Sequence, residues 1–187
     1  MSGARSVFDD SLRNDTVKKT RTPSQIQASS AARKRALFVA AAALIAGTVV
    51  LTLSNYFLQL HCVIAMAVAL AGGLAAARAT IPIDPDSFRS AGNVGGTYAA
   101  LAYVLPFIGF SFYNWMTMTP DKAAQRMTQL SSAEIVFAQQ NNMQLGVEYF
   151  RGQDIAYLFG YLLFALILGS VLGMVGGAVA KRQLTTR

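Results

Sequence analysis

Ala36 to Ala77 reads ALFVAAAALIAGTVVLTLSNYFLQLHCVIAMAVALAGGLAAA, a run without one formal charge, closed by Arg33-Lys34-Arg35 on one side and Arg78 on the other. An Asp, Lys or Arg at the centre of a spanning helix costs roughly 2.5 to 3.5 kcal/mol on insertion scales. A run this long without such a residue therefore reads as chain surrounded by lipid. As a single helix it would be about 63 Å long, roughly twice the ~30 Å hydrocarbon core of a bilayer, so it has to turn back. The reversal belongs at Ser54-Asn55-Tyr56-Phe57, where Asn and Ser side chains can satisfy nearby backbone. Spans over about 36–54 and 58–77 result, a helical hairpin.

Two further windows extend the pattern. Ser90 to Pro120 is uncharged, and Tyr98 to Met118 within it has the length of one span, with Pro106 predicted to bend it. Neighbouring helices in a bundle can re-satisfy the carbonyl that a proline frees. The fourth span, 155–180, follows Asp154 and ends at Lys181-Arg182, charges that suit the helix dipole at both ends. Hydrophobic residues make up 53% of the chain and charged ones 13%, against about 25% charged in a soluble domain. Windows of this length exclude a water-soluble helical core. The lack of alternating apolar and polar residues excludes a β-barrel. The expected fold is all-α integral membrane, with four transmembrane helices and an additional interfacial helix in the outer loop.

Orientation follows from the basic residues, which concentrate in cytoplasmic segments. Arg5, Arg13, Lys18, Lys19, Arg21, Arg33, Lys34 and Arg35 precede the first span, Arg78 and Arg89 follow the second, and Lys181, Arg182 and Arg187 follow the fourth. Only Lys122, Arg126 and Arg151 fall in the loop 119–154. Both termini are thus expected in the cytoplasm, with that loop outside, as in a bacterial inner-membrane protein. Tyr56, Phe57, Phe112, Tyr113, Trp115, Tyr149, Phe150 and Tyr157 gather at the outer ends, as in an aromatic belt, and Tyr98 lies at the inner side. Residues 1–35 read as a disordered, basic cytoplasmic tail with no signal peptide, and 183–187 as a second short tail. Arg33-Lys34-Arg35 stands where anionic lipid head groups would be attracted. The net charge of +7 sits where topology requires it, so no nucleic acid is implied. The single cysteine, Cys62, excludes an internal disulfide.

Spans associate in lipid through small residues that let backbones approach. Gly169, Gly173 and Gly177 recur at four-residue spacing in the fourth span, with Gly176 beside them, and Ala65, Ala69, Gly73 and Ala77 do so in the second. A contact between spans two and four is expected, a homo-oligomer or partner subunit being the alternative use of the glycine stripe. In the outer loop, Thr119-Pro120-Asp121 is a helix start with an N-cap, a proline at the first position and an early acid. Ala123, Met127, Leu130 and Phe137 then predict one interfacial helix, ended by Gln139-Gln140-Asn141-Asn142. The alternation of Met143, Leu145, Val147 and Tyr149 leaves a short strand or irregular chain open.

This layout, with Ser131-Ser132-Ala133-Glu134 in the loop and the segment Gly169 to Arg182, resembles a family of uncharacterised four-helix bacterial inner-membrane proteins. The likeness spans about Ala36 to Arg182. It implies the fold and no catalytic residue.

Chemistry is sparse. His61, the only histidine, lies near the outer end of span two. A neutral, hydrogen-bonded role is expected for it, and ligation of a haem or chlorophyll-type pigment is the alternative. No other cofactor is predicted. Asp84 and Asp86, in IPIDPD, read as a solvated turn rather than a metal site. No nucleophile elbow, phosphate loop or zinc motif occurs. Thr48, Thr52, Pro106 and Ser111 are the only polar or helix-breaking residues offered for a substrate path. The expected role is a non-catalytic accessory or scaffold subunit of a larger membrane assembly, in contact with lipids and with other subunits or itself. A small oligomeric transporter or channel is the alternative.

Overall fold

A computed structural model describes residues 22–53 and 61–186. Its four long helices are α1 (Pro23–Thr52), α2 (His61–Thr80), α3 (Phe88–Thr117) and α6 (Val147–Thr185), with α4 (Pro120–Met127) and α5 (Ser132–Gln140) in the connection between α3 and α6. All four long helices are of a length and hydropathy that cross a bilayer. No strand occurs among the described residues. The chain is a multi-pass, all-α membrane protein.

The burial pattern carries the same message. The buried side chains are overwhelmingly small: Ala43, Ala65, Ala69, Ala76, Ala77, Ala99, Ala100 and Ala165 among them. Large apolar side chains point outward, with Phe38 75% exposed, Ile45 66% and Phe159 63%. In water such a surface would drive aggregation. In lipid it is the solvated surface, and the small residues are the packing surface.

α3 is the hub, contacting α1, α2 and α6 along most of its length, while α2 also touches α1 and α6. Its two glycine faces explain this. Gly95 lies on Gly72 of α2, and Gly92 and Gly96 lie on Gly169, Gly173 and Gly177 of α6. A methyl group at Gly73 would stand 2.6 Å from the α-carbon of Gly173, and one at Gly173 would stand 2.9 Å from that of Gly96, below the separation real β-carbons show. Gly173 is thus enclosed by α2 and α3 together, and the stripe on α6 serves two helices rather than α2 alone. Gly47 brings α1 equally close to the backbone of α3 at Tyr103.

Several elements differ from the sequence expectation. α1 begins at Pro23, so residues 23–35 are helical rather than a disordered tail. Thr22 and Gln25 form a reciprocal capping box, Pro23 occupies the first turn, and Ala28, Ala32 and Ala36 continue the buried stripe. Residues 1–21 and the predicted reversal at Ser54–Phe57 lie outside the described residues. α3 starts at Phe88, ten residues ahead of Tyr98. Pro106 stands inside it without ending it. At 39 residues, α6 is roughly 58 Å long. It takes in Val147 and Tyr149, which settles against a strand there, and it continues through Gln183 to Thr185 where a tail was expected.

The connection between α3 and α6 holds two helices instead of one. Thr119 caps α4 as anticipated, but α4 stops at Met127. Ser131 and Glu134 then form a second capping box that starts α5 afresh. The Ser131–Glu134 segment is therefore helix-starting chemistry. The break takes Phe137 off the face shared with Ala123: the alanine is buried and Phe137 is 56% exposed. α5 ends with Asn142 in the left-handed region (φ 52°), and the amide of Met143 donates to the carbonyl of Ala138, a common way to close a helix.

Candidate functional site

Three of the four buried polar side chains among the described residues, His61, Ser111 and Asp154, lie toward the end that carries α4 and α5, hereafter the loop end, and Thr80 lies at the other. His61 opens α2 there, and its Nδ1 lies 2.9 Å from the hydroxyl of Tyr103, with the donor set by the imidazole tautomer. The hydroxyl also lies 3.4 Å from the carbonyl of His61. Tyr103 is fully buried, and Gly47 of α1 lies against its backbone. Phe107, one turn on, packs on the imidazole at 4.4 Å between ring centres, and Tyr161 of α6 meets it edge-on at 6.0 Å. Three helices thus hold one histidine among three aromatic rings.

Tyr161 also lines a loop-end cleft of about 290 Å³, together with Ser111 and Asn114 of α3, Arg126 of α4, Glu134 of α5, and Gln153 and Asp154 of α6. Its main feature is an ion pair. One guanidinium nitrogen of Arg126 donates to both carboxylate oxygens of Asp154, at 3.0 and 3.1 Å. Asp154 is buried, and its side chain is 4% exposed against 27% for Arg126. The amide of Gln153 donates to the hydroxyl of Tyr157 at 3.1 Å. Beneath the pair, Phe150 packs with Met118 and Ala123, so it is a core residue and not part of an aromatic rim. The Ser131 hydroxyl and backbone N–H donate to Glu134 at 2.7 and 2.8 Å, which holds its carboxyl below the ordinary range.

Comparison with family models, curated proteins and solved structures returns no match.

The residues picked out from sequence fall into two groups. Gly73, Gly169, Gly173 and Gly177 meet other helices at the centre and opposite end of the bundle, and Ala65 and Ala69 are buried in the core with Ala100, Tyr103 and Ala165. His61 belongs to the loop end, and its Nδ1 is already engaged. No cluster of three or more His, Cys, Asp or Glu side chains suited to a metal occurs among the described residues. Sequence reading missed Tyr103 as the histidine's partner and Arg126 as that of Asp154. Neither pairing leaves a local signal, since 42 and 28 residues separate the partners. What it had available and left unused was the spacing Gly92, Gly96, Ala100 on α3.

At the opposite, basic end, the start of α1, the link between α2 and α3, and the end of α6 come together. Arg78 donates to Gln183, and the Lys181 ammonium sits 4.4 Å from the centre of the Phe88 ring.

Proposed function

We propose that this chain is a non-catalytic accessory or scaffold subunit of a larger membrane assembly, lying in a bacterial inner membrane with its basic end in the cytoplasm. The observation that supports this reading is that the small-residue faces are consumed internally, while broad faces of large apolar side chains remain outside. Leu37, Phe38, Ile45 and Val49 line one such face on α1, and Phe159, Leu163, Ile167 and Val171 line another on α6. The internal polar groups are occupied with one another, as in His61 with Tyr103 and Arg126 with Asp154. Thr48 and Thr52 donate back to carbonyls of their own helix. With these groups engaged, the spans offer few free polar side chains for a solute path. Lipids and other subunits or further copies of the chain are the partners, and His61 serves as a packing residue. The likeness in layout to four-helix inner-membrane proteins belongs to the same reading.

Extraction in mild detergent followed by native electrophoresis and absorbance spectroscopy tests it. The expected result is a larger complex with a companion protein in stoichiometric amount. A pure homo-oligomer that passes solute in liposomes overturns the reading in favour of a small oligomeric transporter or channel, and a Soret or chlorophyll band would return His61 to cofactor ligation. Asn141→Cys combined with Cys62→Ser, labelled only from outside the cell, checks the orientation.

A further inference from the structure

At the basic end, the first three turns of α1 stand over the link between α2 and α3 and enclose a half-open cavity of about 520 Å³. It exists because α1 runs on to Pro23, with Ala32 packed on Ala76 and Ala91. Its size lies in the range of small-molecule sites, ~300–1,000 Å³. Its buried lining is Ala28, Ala32, Thr80 and Ala91, and it is faced by Arg33 from α1 and by Asp84 and Asp86 from the α2–α3 link. Among the described residues these three charges enter no ion pair, with each other or with anything else. Asp84 Oδ1 accepts from the Asp86 backbone N–H, and its remaining carboxylate valence, with Asp86 and Arg33, leaves both signs facing one cavity, where a ligand bearing both could bridge them. Arg33 is one turn from Ala36, where the charge-free window begins, so the cavity opens at the level of the lipid head groups.

We propose that this cavity binds the head group of a phospholipid carrying both a phosphodiester and a primary amine, as phosphatidylethanolamine does. The Arg33 guanidinium takes the phosphate through charge-assisted hydrogen bonds. Asp84 and Asp86 accept from the ammonium, and the buried alanines receive the glycerol and the first methylenes. A primary ammonium has three N–H donors to give, a trimethylated one has none, and a glycerol head group lacks the positive charge. The carboxylates thus select ethanolamine over both choline and glycerol lipids.

Native mass spectrometry of the full chain in detergent, with the three lipids of matched acyl chains added in competition, tests this. We expect the ethanolamine lipid to be retained about tenfold over the other two. Arg33→Ala should lower retention of every lipid. Asp84→Asn with Asp86→Asn should abolish the preference for ethanolamine and raise glycerol-lipid binding. These acidic positions lie on a surface link, so the double variant carries the test even if Arg33→Ala fails to fold. Equal or greater retention of the glycerol lipid by the native chain, or a preference unchanged by the double variant, overturns the proposal. Displacement by water-soluble phosphoethanolamine at equal concentration would overturn the lipid as the source of the head group.

Discussion

Between Gly72 and Gly96 the helices meet backbone to backbone, whereas at the loop end α2, α3 and α6 meet through side chains. The glycine half leaves no space for a single β-carbon at Gly73, Gly92, Gly96 or Gly173. The loop-end half is filled by Tyr103, Phe107 and Tyr161 and tied down by two polar pairs. The first kind of contact fails when something is added, the second when something is removed. Substitutions of opposite sense therefore separate the two halves.

The largest effect is expected at Gly173, which two helices approach at once. Gly173→Leu should cost 3 kcal/mol or more, since overpacking a tight core ordinarily costs ~1–3 kcal/mol and backbone cannot move aside as a side chain can. The measurement is unfolding in detergent, read by helical circular dichroism. A fully stable Gly173→Leu variant would break the backbone-contact description. Next comes Asp154→Ala, which leaves Arg126 in a partly buried cleft without its anion. Severing a fully buried pair costs ~3–5 kcal/mol, and the partial exposure of Arg126 reduces the expectation to about 1–3 kcal/mol. Adding Arg126→Met should recover part of that loss if the uncompensated charge is its source.

Smaller still is Tyr103→Phe, which keeps the ring and removes the hydroxyl. Leaving the imidazole Nδ1 of His61 without its partner should cost about 1–2 kcal/mol, and the same assay would show Phe107→Leu to be milder than any bulky residue at Gly173. The least effect concerns Glu134. Its carboxyl is held below the ordinary value by Ser131, so the capping box contributes at neutral pH and its contribution is lost as pH falls below about 4.5 through the lowered folded value. The Ser131 amide resonance should follow that titration, and in Glu134→Gln it should not.

The spans were legible because lipid imposes a single, strong rule: long windows without charge. Their ends were not, because outside the hydrocarbon other interactions decide. The segment 23–35 looked like tail on polarity, yet Thr22-Pro23-Ser24-Gln25 spells a helix start, and alanines every fourth residue spell a buried stripe. Span three was begun at Tyr98 because the apolar run from Tyr98 to Met118 already had the length of one span, which left Gly92, Gly95 and Gly96 outside it. Glycine does weaken an isolated helix by ~1 kcal/mol per residue, but here each lies against another helix, and that close approach offsets the cost. The stripe on α6 was recognised, while its principal partner was not, because the corresponding residues of α3 had been left out of the span. At the candidate site, His61 was noticed for being alone of its kind. Its environment depends on Gly47, Tyr103, Phe107 and Tyr161, from three helices, and no periodicity within one segment encodes such a meeting.

The position of α3 between two glycine-lined neighbours also sets a schedule. One of its faces can close on α2 as soon as α3 is made, but the Gly92–Gly96 groove waits for α6, whose last residues leave the ribosome some 68 residues after the end of α3. At ~5–20 residues per second, that groove stays uncovered for roughly 3–14 s during each round of synthesis. In that interval the newborn chain presents to the membrane the same small-residue surface that its finished form conceals, and a photo-crosslinker placed at Ala100 would capture whatever rests there before the final helix arrives.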